Sequence, residues 1–82
     1  MDPIADAVKT WILEEFLPGT NPSELAADTP LITGGIMDSL ATIRLVSFLE
    51  EQYGITIEPH EATVDYLDTL TLIAALVRRK QG

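Results

Sequence analysis

The sequence predicts an all-α protein, a small four-helix bundle with three long helices, one short third helix and a long loop between helices one and two. Three observations carry this. Apolar residues recur at helical intervals in three separate segments. Each segment opens on a residue able to cap a helix. No stretch long enough for a sheet alternates apolar with polar, and no internal repeat is present. A bundle is the layer arrangement that buries all these stripes together. The 82 residues are taken as a single domain, residues 1–82. A chain of this size buries only about 60% of the surface its unfolded form exposes, so the core is marginal.

Helix one starts at Asp2, a capping residue, with Pro3 in the first position, where a missing N–H costs nothing. Ile4, Val8, Trp11, Ile12 and Phe16 form its stripe, and Pro18-Gly19 ends it. Trp11, lying on that stripe, is assigned to the core rather than to recognition. The loop from Pro18 to Met37 is long for a compact domain, which points to a job beyond connection. Within it, Ser23–Ala26 suits one helical turn. Leu25, Leu31 and Ile32 can pin the loop to the core, and Thr29-Pro30-Leu31 is expected to be extended.

Helix two is predicted to begin at Asp38, whose carboxylate can accept from the N–H of Leu40 or Ala41. Leu40, Ile43, Val46, Leu49 and Tyr53 make its stripe, widened by Leu45 and Phe48. Thr42, Arg44, Ser47, Glu50 and Glu51 are left for solvent. Gly54 is a natural left-handed stop. Ile55-Thr56-Ile57 alternates but is too short for a sheet. The short third helix is placed from Pro59 through Val64, with Glu58 as a weak cap and Asp65-Tyr66-Leu67 as a connection. Asp68 or Thr69 caps the last helix, striped by Leu70, Ile73, Ala74 and Val77 with Leu72 and Leu76 beside them. Arg78, Arg79 and Lys80 fall in its last turn, where cations suit the helix dipole.

The net charge of −8 argues against nucleic acid, since phosphate contacts need clustered Lys and Arg. It favours basic protein partners, or serves solubility alone. There is no cysteine, hence no disulfide, thiol nucleophile or thiolate metal ligand. A hydrophobic content of 46% is that of a globular domain, and no run is apolar and long enough to span a bilayer. Met1-Asp2-Pro3-Ile4 lacks a basic region followed by an apolar run, so no secretory leader is expected and the expected location is cytoplasmic.

The stretch Gly34-Gly35-Ile36-Met37-Asp38-Ser39-Leu40 presents one hydroxyl at the positive end of a helix. As a catalytic nucleophile Ser39 would need a base within reach. The one histidine, His60, stands beside Pro59 on an expected surface turn, and no G-x-S-x-G elbow surrounds Ser39. Neither a zinc-type histidine pair nor calcium-loop spacing occurs. No catalytic and no metal residue is therefore expected. As the acceptor of a phosphate-linked group Ser39 fits better, because a phosphate there meets unpaired backbone N–H groups and the chemistry comes from another enzyme. Position alone leaves open that Asp38 and Ser39 are simply two capping-type residues.

The segment Gly35-Ile36-Met37-Asp38-Ser39-Leu40 resembles the D-S-L signature of the acyl and peptidyl carrier protein family. Thr29-Pro30-Leu31, Glu50-Glu51-Gln52-Tyr53-Gly54-Ile55 and Tyr66-Leu67-Asp68-Thr69-Leu70 extend the likeness over nearly the whole chain. The resemblance implies that a phosphopantetheinyl transferase moves 4′-phosphopantetheine from coenzyme A onto Ser39, whose arm then holds cargo as a thioester. It implies that Asp38 helps hold magnesium during that transfer. It also places Met37, Leu40, Ile43 and Arg44 on the loop end and exposed edge of helix two, where partner enzymes dock. The implied partners are that transferase, an adenylating ligase or acyltransferase, and a downstream synthase or transferase, with the protein itself a non-catalytic monomer. Fatty-acid carriers usually show acidic residues where Ala41 and Arg44 stand here. The G-I-M-D-S-L form is closer to stand-alone aminoacyl or peptidyl carriers of natural-product pathways, with D-alanyl, fatty-acid and polyketide carriers as alternatives. Outside the family, the alternative is an unmodified helical interaction module.

Overall fold

The computed structural model describes residues 2–82; Met1, on which the expected single domain begins, lies outside the described residues. Among the described residues there are four helices: α1 (Pro3–Phe16), α2 (Ser39–Tyr53), α3 (Val64–Leu67) and α4 (Leu70–Gln81). Single 3₁₀ turns stand at Pro22–Glu24 and Pro59–Glu61. Among the described residues there is no strand. α4 packs against α1, α2 and α3, which makes it the hub of the bundle.

The helix ends follow local chemistry. The Asp2 carboxylate accepts from the Ile4 N–H at 2.8 Å and Pro3 opens α1. Asp38 caps α2 through the Ala41 N–H at 2.8 Å, and Gly54, at φ +64°, closes it. The Thr69 hydroxyl, not Asp68, caps α4 by accepting from the Leu72 N–H at 3.1 Å.

The core gathers Ile4, Ala5, Val8 and Ile12 from α1, Leu25 and Leu31 from the long loop, and Leu45 and Leu49 from α2. Leu67 joins it from α3, and Leu70, Ile73, Leu76 and Val77 from α4. Leu25 and Leu31 are fully buried and Ile32 half-buried, so the loop is pinned where the sequence placed its anchors. Trp11 is half-buried at the core's edge. It stacks on Phe48 with ring centres 4.7 Å apart and meets Phe16 edge-on at 5.3 Å.

Two expectations change. The short third helix is not Pro59–Val64: that stretch holds a 3₁₀ turn followed by the extended cap Thr63. The helix is Val64–Leu67, in the segment assigned to a connection. A four-residue helix has too little length to display a period, and this one is fixed by burial of Leu67 at its end. The inward face of α2 is also rotated from the expected stripe. Ala41, Leu45 and Leu49 are buried, whereas Leu40 and Ile43 are 66% and 63% exposed. Apolar residues wrap so much of this helix that its periodicity fits more than one inward direction.

Candidate functional site

Ser39 is the first residue of α2 and its side chain is exposed. The loop before it turns on two glycines. A Cβ on Gly34 would collide with the Pro30 carbonyl oxygen, and Gly35 adopts φ +83°, a left-handed conformation that side chains disfavour. The Met37 N–H then donates to the Leu31 carbonyl at 2.8 Å, and the Met37 side chain, 1% exposed, sinks into the core. Met37, which the sequence reading put at the loop end of a docking surface, is buried and anchors the chain beneath the site. A thioether in a close-packed interior fixes the chain one residue before the cap.

The donors at the start of α2 are divided between the cap and solvent. Ala41 donates to the Asp38 carboxylate and Thr42 to the Asp38 carbonyl at 2.9 Å. The N–H groups of Ser39 and Leu40 have no protein acceptor among the described residues. These free donors and the positive helix end lie beside the Ser39 hydroxyl. Asp38 uses Oδ1 for the cap, while its Oδ2 has no hydrogen-bond partner among the described residues.

An open groove of about 840 Å³ begins at Asp38 and Ser39. α2 contributes Thr42, Ile43 and Val46; the opposite side has Pro59, Ala62 and Val64. Its far side is tied down by two carboxylates. Glu50 Oε2 accepts from the Ile57 N–H at 2.9 Å, which turns Glu50 inward rather than wholly to solvent. Glu61, only 8% exposed, accepts from the Glu58 N–H at 2.9 Å and pairs with Lys80 of α4 at 2.6 Å. Lys80, and after it the Glu58 N–H, holds the Glu61 carboxyl below its ordinary value.

On the other side of α2 lies a smaller hollow between Phe16, Ile36, Leu40 and Arg44. The Arg44 guanidinium sits 5.1 Å above the Phe16 ring centre and 3.1 Å from the Glu15 carboxylate. Ser39 thus stands where the groove and an exposed, partly apolar helix face meet. The α4 cations each have a neighbour: Arg78 reaches Asp2 at 2.7 Å, Arg79 lies over Tyr66 and Lys80 meets Glu61.

Sequence reasoning missed the two carboxylate ties and a third at Asp68. Asp68 Oδ1 accepts from the N–H groups of Ile32 and Thr33 at 2.8 and 2.9 Å, and Oδ2 from the Thr33 hydroxyl at 2.8 Å. The Thr33 N–H, then its hydroxyl, keeps the Asp68 carboxyl below its ordinary value. The only available signal was that Asp68 and Thr69 competed for one cap, which freed one of them for another role.

By fold and site the protein is a small helical bundle presenting an open hydroxyl at a helix start. The chain belongs to the phosphopantetheine attachment site family, whose model matches residues 12–78. Proteins of this family are non-catalytic carriers, and their cofactor is covalently attached 4′-phosphopantetheine. Similarity also extends to the lincomycin biosynthesis protein LmbN of Streptomyces lincolnensis, 38% identical over 68 residues. That match takes in 83% of this chain but 24% of LmbN, so the chain spans about a quarter of that relative's length. The exposed Ser39, two N–H groups without an acceptor among the described residues and the open groove suit the group, and the local field favours a phosphate. Among the described residues no helix is long and apolar enough to cross a membrane.

Proposed function

We propose that Ser39 is the attachment point of 4′-phosphopantetheine and that this chain, acting as one domain, carries an aminoacyl or related short-acyl group in natural-product biosynthesis. The observation that carries this reading is the exposed Ser39 hydroxyl at the first position of α2, at the mouth of an open groove. When bound, the arm supplies a terminal thiol that holds cargo as a thioester. The chain's own residues offer, orient and display. Ser39 provides the oxygen that forms the new bond to phosphorus as the pyrophosphate link of coenzyme A breaks. The adenosine bisphosphate half of coenzyme A leaves, and the hydroxyl proton passes to a base that the transferase supplies. Asp38 Oδ1 holds the helix start in place, and its Oδ2, without a hydrogen-bond partner among the described residues, would be available to help hold the magnesium of that reaction.

Leu40, Ile43 and Arg44 form the surface that the transferase, an adenylating ligase and a downstream synthase recognise in turn; Met37 contributes only by holding the loop. The exposed Leu40 and Ile43 support this, since an exposed large apolar pair beside a reactive group suits a partner surface. The similarity to a lincomycin biosynthesis protein supports a natural-product setting. A second reading, a fatty-acid or polyketide cargo, draws on the apolar groove lined by Ile43, Val46, Ile57 and Val64.

The test is intact mass after incubation with coenzyme A, magnesium and a broad-specificity transferase. A gain of one phosphopantetheine in the wild type and none in Ser39→Ala is expected. A wild type that gains nothing with several transferases overturns the reading. Weighing the trapped thioester then decides between aminoacyl and longer acyl cargo.

A further inference from the structure

The loop leading to Ser39 is held by a residue far from it in the chain. Asp68 lies between α3 and α4, and both its carboxylate and its carbonyl face residues 31–33. The Leu31 N–H donates to the Asp68 carbonyl at 2.6 Å, and the Leu31 carbonyl accepts from the Met37 N–H at 2.8 Å. Leu31 is thus held through both its N–H and its carbonyl. Residues 32–36 form a short excursion that departs from Asp68 and returns at Met37, one residue before the cap of α2. Ile32 lines the groove, and so does Val64 at the start of α3. Thr71 of α4 ties the earlier part of the loop, its N–H and hydroxyl both donating to the Ala27 carbonyl at 3.2 Å, whereas Asp68 ties residues 31–33, the part that leads to Ser39, to the α3–α4 corner that carries the groove's other side.

We propose that Asp68 is a positioning residue for attachment of the arm: by clamping Ile32 and Thr33 it holds the loop, Asp38 and Ser39 in the one arrangement that the transferase recognises. The inference rests on Ser39 being the attachment residue. Without the clamp, the long loop samples other conformations, and only the fraction in the right one binds. The consequence falls on recognition of the carrier rather than on the bond-making step once bound.

The experiment compares wild type, Asp68→Ala, Asp68→Asn and Thr33→Val in their unmodified forms. Circular dichroism first sets a temperature at which each is folded. Initial rates of transfer from coenzyme A are then measured against carrier concentration. Asp68→Ala is expected to raise KM for the carrier by about 10-fold, with kcat within about 2-fold of wild type. Asp68→Asn keeps an oxygen for the two backbone donors and is expected to recover most of the loss. Thr33→Val loses one bond and is expected to fall between. Amide exchange provides a readout free of the transferase: Ile32, Thr33 and Met37 are expected to exchange faster in Asp68→Ala and to be protected again in Asp68→Asn.

A folded Asp68→Ala protein with wild-type KM overturns the inference, and so does a drop confined to kcat. If Asp68→Ala does not fold, Thr33→Val decides: unchanged KM and unchanged exchange overturn it. A wild type that accepts no arm overturns the attachment reading instead, whereas a modified wild type matched by Asp68→Ala overturns this inference alone.

Discussion

α4 buries Leu70, Ile73, Ala74, Leu76 and Val77 within 12 residues, whereas α2 buries only Ala41, Leu45 and Leu49 within 15. Both helices are rich in Leu, Ile and Val, and both begin at a side-chain cap. The difference lies in their neighbours. α4 has α1, α2 and α3 packed around it, so most of its apolar side chains find a partner and only Leu72 among its large ones stays exposed, at 38%. α2 lies at the edge, with a groove on one side and the Phe16–Arg44 hollow on the other, and it leaves Leu40 and Ile43 in water. Hydrophobic content therefore does not separate scaffold from display here; position in the bundle does. The two most exposed large apolar residues, Leu40 and Ile43, both stand on α2, beside Ser39, ahead of Val64 at 40% and Leu72 at 38%; in a small domain with a marginal core, that concentration suits a surface kept for something other than its own stability.

The sharpest way to break this contrast is Ser39→Ala. It is expected to abolish attachment completely while changing unfolding free energy by no more than about 0.5 kcal/mol, because the side chain is exposed. Intact mass and urea denaturation measure the two halves. If stability falls with it, α2 is scaffold after all.

A paired truncation comes next. Ile73→Ala in α4 removes a fully buried side chain and is expected to cost about 2–5 kcal/mol, enough to leave much of so small a domain unfolded. Leu40→Ala in α2 is expected to cost less than about 0.5 kcal/mol and to slow transfer or loading instead. Equal losses of stability in the two variants would erase the distinction between the helices.

Acid probes the ties that hold the display side to the scaffold. Asp68 and Glu61 have folded pKa values lowered from ordinary values of 3.8 and 4.5, by Thr33 in the first case and by Lys80 in the second. A lowered folded pKa means that the contribution is fully present above the unfolded value and is lost as pH falls through the folded one. The melting temperature is thus expected to be insensitive to these two groups at neutral pH and to drop in acid below their ordinary values. Asp68→Asn should make that drop shallower. A profile that steepens, or starts near neutral pH, would show that other groups control the corner.

The smallest effect is expected from Arg44→Glu. Its pair with Glu15 joins side chains 48% and 41% exposed, and such surface pairs contribute about 0.2–1 kcal/mol. Stability should scarcely change while the rate of loading by a basic or acidic partner shifts, which stopped-flow or steady-state kinetics can follow. Unfolding of this variant would mean that α2 faces the other way.

Much of the molecule was legible in the sequence because its signals are local. Asp2, Asp38 and Thr69 mark helix starts through side chains that reach only two or three residues along the chain, and Gly54 marks an end through its own backbone freedom. The Asp38-Ser39 step at a helix start, with glycines before it, could be placed for the same reason. Less legible was α3, whose four residues owe their helix to Leu67 being drawn into the core. Asp68 was offered a local role as a cap and took a distant one instead, because Thr69 already served the cap and the loop's N–H groups needed an acceptor.

What the chain determined by itself is the bundle class, the long helices' limits and the hydroxyl opening α2, since caps, stops and apolar periods act between residues a turn apart. Only the tertiary structure decided which side of α2 turns inward, that Met37 is buried, and that Asp68 closes on a loop 35 and 36 residues away. Those outcomes depend on what surface is left after α1 and α3 have covered α4, and that competition for a shared core has no local trace in the chain.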